Sequence, residues 1–468
     1  MTASAAPARP AGRVLSTLNE DGSRRWIRPK PSPGGFWHAR QIVAIVLMVV
    51  FFAIPYLKVG GRPLVLLDVP RREFTLAGYT FLPTDTMLLM LLMLSIALGI
   101  FLLTALFGRV WCGWACPQTV YMEFLFRPIE RWLEGGRSGS VVLDKEGRHF
   151  HPRRLLKHVI YLVLALFLAH TFLAYFVGIE QLVQWVQRSP LEHPTSFLVM
   201  AGTTALIFAD FAWFREQTCI VACPYGRLQS VLLDRKSLIV GYDPNRGEPR
   251  MRGVKERAAT AGDCIDCGAC VLTCPTGIDI RDGLQMECIH CTQCADACDA
   301  IMDQVHKPRG LIRYTSQDSL AGAPQRLLRP RVVLYPAIMS LSVGLLVYNL
   351  GTKADTDVTL LRGVGAPFTR QPDGAIVNQV RIKLTNRARV DRAYQVELLE
   401  PAGANLVIPV NPIPVAAGQA LETSVFVMLP ETGFRGGERQ AIIRLTDGAG
   451  YQEDIIYRLL GPGSGSAP

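Results

Sequence analysis

Eight cysteines between positions 264 and 298 fall into two copies of C-x2-C-x2-C-x3-C. The first copy is Cys264, Cys267, Cys270 and Cys274, followed by Pro275, and the second is Cys288, Cys291, Cys294 and Cys298. Three thiolates at two-residue gaps can curl around three corners of a cubane, and the displaced fourth reaches the other cluster. The spacing therefore predicts one [4Fe–4S] cluster on Cys264, Cys267, Cys270 and Cys298 and a second on Cys288, Cys291, Cys294 and Cys274. Zinc is normally held by two CxxC pairs roughly a dozen or more residues apart, which two tandem runs do not resemble. Asp299 stands where the first copy has its Pro, at a position that shapes a turn and ligates nothing. Such a segment moves electrons one at a time.

The other four cysteines repeat a second pattern. Cys112, Cys116 and Pro117 lie in WCGWACP, and Cys219, Cys223 and Pro224 lie in CIVACP, each a C-x3-C-P just after an apolar run. In a helix that spacing puts both thiols on one face about one turn apart, with Pro marking a break or the first turn of the next helix. If the two ends are neighbours, four sulfurs converge beside the ferredoxin-like segment. Disulfides are disfavoured in a reducing compartment and at this helical spacing, and the repetition speaks against four unrelated buried thiols. Thiolates select Cu(I), Zn or iron–sulfur, and neighbouring clusters favour a redox-active occupant over zinc. Depressed thiol pKa values are expected beside Arg109 and Arg215.

The elements that must hold these groups read as a membrane protein. Of 468 residues 49 % are hydrophobic, and apolar runs cover 41–57, 86–107, 159–177, 197–214 and 332–350, the lengths of membrane spans. No secretory signal is recognisable in the polar first 40 residues. The formal charge is +10, yet from Ala354 onward 11 Lys and Arg face 12 Asp and Glu, so the excess lies earlier. Those cations flank the spans, which reads as membrane orientation and not nucleic-acid binding. Loop 108–158 is rich in Arg and Lys whereas loop 178–196 carries only Arg188. The positive-inside rule places the N-terminus and the clusters in the cytoplasm and the C-terminal region in the periplasm of a bacterial inner membrane. His170 and Asp210 are the ionisable residues well inside spans and so are site candidates. Asp210 is expected near Cys219, and His170 towards the other side, where it could serve a quinol or a metal. Trp111, Trp114, Trp132 and Trp213 read as interfacial anchors.

From about Lys353 the chain changes to short Val-, Ile- and Tyr-rich runs, at 380–384, 394–399, 406–410, 423–428, 441–445 and 454–459, separated by Gly, Pro and Asn. That is the pattern of a β-sandwich of immunoglobulin-like size. The fold expected is a multi-domain membrane protein: five transmembrane α-helices, an inserted two-cluster bacterial-type ferredoxin segment and a C-terminal immunoglobulin-like sandwich. Its parts are a cytoplasmic tail (1–40), four spans with their loops (41–214), the ferredoxin segment (215–331), a fifth span (332–350) and a periplasmic docking domain (354–468).

On WCGWACPQTVYMEFLFRPIER (111–131), REQTCIVACPYGRLQSVLLD (215–234), GYDPNRGEPR (241–250), the eight-cysteine segment (263–299) and the β-domain, the chain resembles the FixG/RdxA/CcoG family of cytochrome c oxidase accessory proteins. The resemblance implies an inner-membrane cupric reductase that turns Cu(II) into Cu(I) for assembly of a cbb-type oxidase. Cys112, Cys116, Cys219 and Cys223 would hold the copper, and two [4Fe–4S] clusters would sit on the eight ligands named above. The implied partners are the oxidase catalytic subunit, a copper-transporting P-type ATPase, copper chaperones and a cytosolic electron donor, with a homodimer open. Two other functions fit the same residues. A quinol dehydrogenase would depend on His170 or Asp210, and a redox-sensing assembly scaffold would need no chemistry at the thiols.

Overall fold

The computed structural model describes residues 16–462 apart from 20, 71–72, 78, 82–84, 147–150, 252–260, 324–329, 353 and 389. Residues 1–15 of the expected tail and 463–468 lie outside the described residues. Five helices are long and apolar enough to cross a membrane: Gly35–Tyr56, Thr86–Phe107, Pro152–Val177, Pro194–Phe214 and Pro330–Gly351. The second exposes Met87, Met90, Met93, Leu94, Ile96 and Leu103, a face that water penalises and hydrocarbon does not.

The first and third helices begin six and seven residues before their apolar runs, for reasons hydropathy does not carry. The first starts at Gly35 because the Asp296 carboxylate accepts the Phe36 and Trp37 backbone N–H groups at 3.2 and 2.7 Å, an N-cap supplied from elsewhere in the chain. The third starts at Pro152, a favoured first helical residue. Its first turns carry Arg154 and Lys157, both paired to Glu134, so the helix runs on where the apolar stretch stops.

Residues 1–346 form one compact unit and 347–468 another. In the first, the ferredoxin-like segment is seated on the span ends rather than standing as a separate body. It is closed by a two-stranded ribbon, Ile239–Tyr242 against Ile312–Thr315. The described part of the expected N-terminal tail, from residue 16 to Gly34, is a strap. Lys30 N–H bonds Leu272 O at 2.9 Å, Ser32 Oγ meets Thr273 Oγ1 at 2.9 Å, and Thr17 and Ile27 are buried. Loop 58–85 folds into a hairpin of Lys58–Val59 with Arg62–Pro63 and a three-stranded sheet of Val65–Asp68, Glu73–Leu76 and Tyr79–Phe81.

Where strap, spans and cluster segment meet, charge is buried in quantity. Glu123, Arg127, Glu130, Glu134, Lys157, Arg215 and Glu216 are each at most 5 % exposed. Glu130 sits at the centre: Arg215 grips both its oxygens at 3.0 Å, Arg28 bonds it, and Lys157 lies at 3.3 Å. Arg127 pairs with Glu123 and Glu216 and donates to the carbonyl of Pro275, the residue after Cys274. Such a network fixes relative position more than it adds stability, since each desolvated charge must be met by another.

The second unit is a two-sheet sandwich. One sheet runs Asn405–Val407, Ala420–Pro430, Ala375–Asn386, Thr356–Arg362, with Thr369–Arg370 also on Ala375–Asn386. The other runs Ile413–Val415, Arg392–Glu400, Glu438–Thr446, Gln452–Leu460. Alternate residues Val380, Ile382 and Leu384 meet Val396, Ile443 and Leu445 in a core at most 2 % exposed, as a half-buried strand pattern dictates. The run at 406–410 is a strand only over Asn405–Val407, and strands at 356–362, 369–370 and 413–415 were not anticipated. Ile413 and Val415 flank a single Pro, too short a run to register as a strand.

Candidate functional site

Both four-cysteine runs open on the same backbone. Asp266 and Gly268 in the first, and His290 and Thr292 in the second, have φ of +52°, +69°, +54° and +60°. Three of these are not glycine, and L-residues adopt that region rarely. Alternating turns of this kind line a concavity with N–H groups, and the His290 N–H bonds the Cys288 sulfur. A helix follows each loop: Ala269–Leu272 carries Cys270, and Gln293–Gln304 carries Cys294 and Cys298.

The loops enclose two cavities. Cys264, Cys267, Cys270 and Cys298 wall one, and Cys274, Cys288, Cys291 and Cys294, with Cys270, wall the other. Each cavity wall includes one of the crosswise sets expected from the spacing, and Cys270 borders both. No three His, Cys, Asp or Glu side chains among the described residues close on a single metal ion. A cubane's inorganic core holds its thiolates apart, so wide spacing of the sulfurs is compatible with one. The donor set, the cavities and the N–H to sulfur bond all fit [4Fe–4S]. Asp299, in the place of the second Pro, accepts the Gly310 N–H at 2.8 Å. His290 is fully buried, and burial beside Arg109 pushes its pKa down to about 3. Its neutral ring accepts the Arg109 N–H at Nδ1, 3.2 Å away.

The two CxxxCP motifs sit on matching frames. The second span ends at Gly108 (φ 59°, ψ −129°) and the fourth at Arg215 (φ 54°, ψ −123°), each four residues before the motif's first cysteine. Cys112 lies in the short helix Val110–Trp114, and Cys219 in the π-helical turn Thr218–Ala222. Cys116 (φ −62°, ψ 127°) and Cys223 (φ −73°, ψ 110°) are extended N-caps of the helices that begin at Pro117 and Pro224. The expectation of both thiols on one continuous helical face is therefore corrected. Proline disfavours the helical conformation in the residue before it, so the chain breaks at each second cysteine. The break gives the Cys116 sulfur the N–H groups of Gln118 and Thr119.

All four thiols share one neighbourhood: Cys223 acts on each of Cys112, Cys116 and Cys219, Cys116 also acts on Cys112, and both Cys112 and Cys116 act on Cys219. Cys112 Sγ donates to Gln229 Oε1 at 3.0 Å, and Gln229 Nε2 donates to Tyr225 Oη at 2.5 Å and Thr104 Oγ1 at 3.2 Å. Asp210 accepts the Thr218 hydroxyl and its charge reaches Cys219. His170 is elsewhere, in a groove with Tyr56, Thr171 and Gln187. It lies thirteen residues, or about 20 Å, along its helix from Lys157 of the junction network.

The expected low thiol pKa values are overturned. Burial pushes Cys112 up to about 11, with Arg109 opposing but not reversing it, and Cys219 up to about 12. Burial also raises Cys116. Arg215, expected to depress Cys219, is spent on Glu130. Both thiols are neutral near pH 7, so a metal ion must displace their protons. Alkylation of Cys112 and Cys219, mapped by mass spectrometry, should be slow at pH 7 and rise as pH climbs towards 11. Rapid labelling at pH 7 would contradict this.

The motif is welded to the second cavity. Cys112 packs with Ile289 and the expected ligand Cys291 in one buried cluster, with Tyr225 against it. A Cβ on Gly113 would lie 2.5 Å from Ile289 O and 2.8 Å from Cys291 Cα, so the two backbones touch only because this residue has no side chain. Arg40 Nε donates to Gly113 O at 2.9 Å. Trp114 Nε1 donates to Tyr314 Oη at 2.9 Å, which in turn donates to His290 O at 3.0 Å. Arg40, Gly113, Trp114, Gln229 and Tyr314 escaped sequence reasoning. The one signal was a glycine between two cysteines.

Family comparisons agree with this layout. A 4Fe-4S binding domain matches residues 89–136, a 4Fe-4S dicluster domain 214–317, and the IG-like fold at the C-terminal of FixG 346–462. The chain is 30 % identical to Nitrogen fixation protein FixG of Rhizobium meliloti, over 95 % of this chain and 94 % of the relative. It is 33 % identical to Protein RdxA of Cereibacter sphaeroides, over 91 % and 94 %, and 33 % identical to Protein RdxB of the same organism, over 86 % and 87 %. With similarity running through the spans, the paired cluster cavities and the β-sandwich, this chain belongs to the FixG/RdxA family of membrane iron–sulfur electron-transfer proteins.

Proposed function

We propose that the chain reduces Cu(II) to Cu(I) at Cys112, Cys116, Cys219 and Cys223, serving assembly of a cbb-type cytochrome c oxidase. The observation that supports this reading is the shared packing of Cys112 with the expected ligand Cys291. The bound clusters supply single electrons, one per Cu(II) reduced. The thiols bind the ion, give up their protons to it, and favour the soft reduced state. Copper is substrate here, an ion that the thiols bind and then release. Asp210 is a positioning residue, holding Thr218 next to Cys219. The proposed setting is a bacterial inner membrane with clusters cytoplasmic and β-domain periplasmic. The oxidase catalytic subunit, a copper-transporting P-type ATPase and copper chaperones would be partners, and a cytosolic donor would feed the clusters.

A quinol reading finds its groove at His170, but about 20 Å of helix separates that residue from the junction network, which favours copper at the thiols. Anaerobic Cu(I) titration against a competing chelator tests the site. Wild-type protein should hold copper with sulfur-dominated X-ray absorption, and the protein with all four cysteines changed to Ala should lose it while keeping both cluster signals in EPR. Undiminished copper binding in that variant would refute the assignment.

A further inference from the structure

The two cluster cavities share a motif but not an electrostatic setting. Around the first, Cys267 is exposed. The one cation in its wall, Arg281, is already bonded to Asp279 and Asp266 at 2.6 Å each, and Asp299 adds another carboxylate beside Cys298. Around the second, Cys288 and Cys291 are each 7 % exposed, Arg40 is 0 % and Arg109 3 %. Arg40 acts on Cys291 and Arg109 on Cys288. Neither forms an ion pair among the described residues. Arg40 spends its Nε on Gly113 O, stacks over Phe124 at 5.4 Å, and leaves Nη2 without a hydrogen-bond partner among the described residues. Glu123, the carboxylate near Cys291, is bonded to Arg127. Of these groups, three carboxylates stand against Arg281 at the first cavity, whereas at the second Glu123, which feels both Arg127 and Arg40, stands against Arg40, Arg109 and Arg127.

We propose that Arg40 and Arg109 make the cluster held by Cys274, Cys288, Cys291 and Cys294 the more oxidising of the two, so that electrons enter at the exposed Cys267 edge and come to rest beside Cys112. Accepting an electron makes a cluster one charge more negative, and net charge, sulfur hydrogen bonds and solvent exposure set its potential. Solvent at Cys267 favours reduction of the first cluster. Two buried cations without a salt bridge among the described residues favour reduction of the second more strongly. At an effective dielectric near 20 and ~10 Å, each is worth about tenfold or more in the equilibrium. Arg40 is thus a positioning and tuning residue. Its side chain bonds the CxxxCP carbonyl of Gly113 and its charge acts on Cys291, and it arises from the first span.

Anaerobic potentiometric EPR titration of the detergent-purified full-length holoprotein, without copper, tests this. Two one-electron waves are expected. Cys267→Ser should move only the more negative wave, which assigns it. Arg40→Gln should lower the more positive wave by about tenfold in the reduction equilibrium, 59 mV for one electron, leaving the other in place. Arg40→Lys, which keeps the charge, should restore most of the shift. If Arg40→Gln loses the second cluster, Arg109→Gln decides, with the same downward shift expected. The proposal is overturned if Cys267→Ser moves the more positive wave, or if the Arg variants leave that wave unchanged. Because copper is absent, this result stands or falls separately from the copper reading.

Discussion

Replacing Glu130 by Gln is expected to destabilise the protein by about 3–5 kcal/mol, the range seen when one partner of a buried ion pair is removed. Glu130 is 4 % exposed and answers three cations, Arg28, Lys157 and Arg215. Burial alone would raise its pKa, but the Arg215, Arg28 and Lys157 charges hold it well below the usual carboxylate range. A depressed folded pKa contributes stability that is present above the unfolded value, near 4.5, and is lost as pH falls through the folded one. The wild type should therefore weaken in acid, whereas Glu130→Gln should be weak already at neutral pH. The loss is also local. Arg215 holds φ at +54° without being glycine, a conformation that persists only where surroundings over-determine it. Its bidentate grip on Glu130 is that restraint, and Cys219 follows four residues later. Chemical unfolding in detergent checks the energy, and copper binding checks the site. Unchanged stability would contradict the network's role.

Gly113→Ala is expected to damage electron delivery more than stability. The new Cβ would meet backbone, Ile289 O and Cys291 Cα, and backbone cannot rotate away as a side-chain tip can. Overpacking of this kind costs about 1–3 kcal/mol. The motif and the second cavity would be pushed apart by several tenths of an ångström or more. Copper-dependent oxidation of the reduced protein should slow by roughly 10- to 100-fold, the scale of loss when reacting groups are misplaced by about 1 Å. Iron and sulfide content should be unchanged. Wild-type rates in Gly113→Ala would show that this contact does not carry the electron.

Which parts of this were legible in the chain follows from the range of the signal. The cluster ligands announce themselves because cubane chemistry imposes local spacing on thiols, and the spans and strands because burial imposes periodicity on apolar residues. The contacts that join them are long-range and were silent. Arg40 reads as one more basic residue before a span, yet it reaches Gly113, 73 positions away. Asp296 reads as an acidic residue between two ligands, yet it caps the first span. Trp114 reads as an interfacial anchor, yet it bonds Tyr314. Thiol acidity failed for a related reason. The nearness of Arg109 and Arg215 in the chain says nothing of the burial that outweighs the first or of Glu130, which occupies the second.

In the copper-reductase proposal, reducing equivalents leave the cluster cavities through the CxxxCP thiols. Stopped-flow mixing of anaerobically reduced protein with Cu(II) tests it directly, following cluster absorbance and Cu(I) together. The prediction is one Cu(I) formed for each electron lost from the clusters, and near-complete loss of that reaction when Cys112, Cys116, Cys219 and Cys223 are all changed to Ala with iron content intact. Equal rates of cluster oxidation in the wild type and the four-cysteine variant would contradict it.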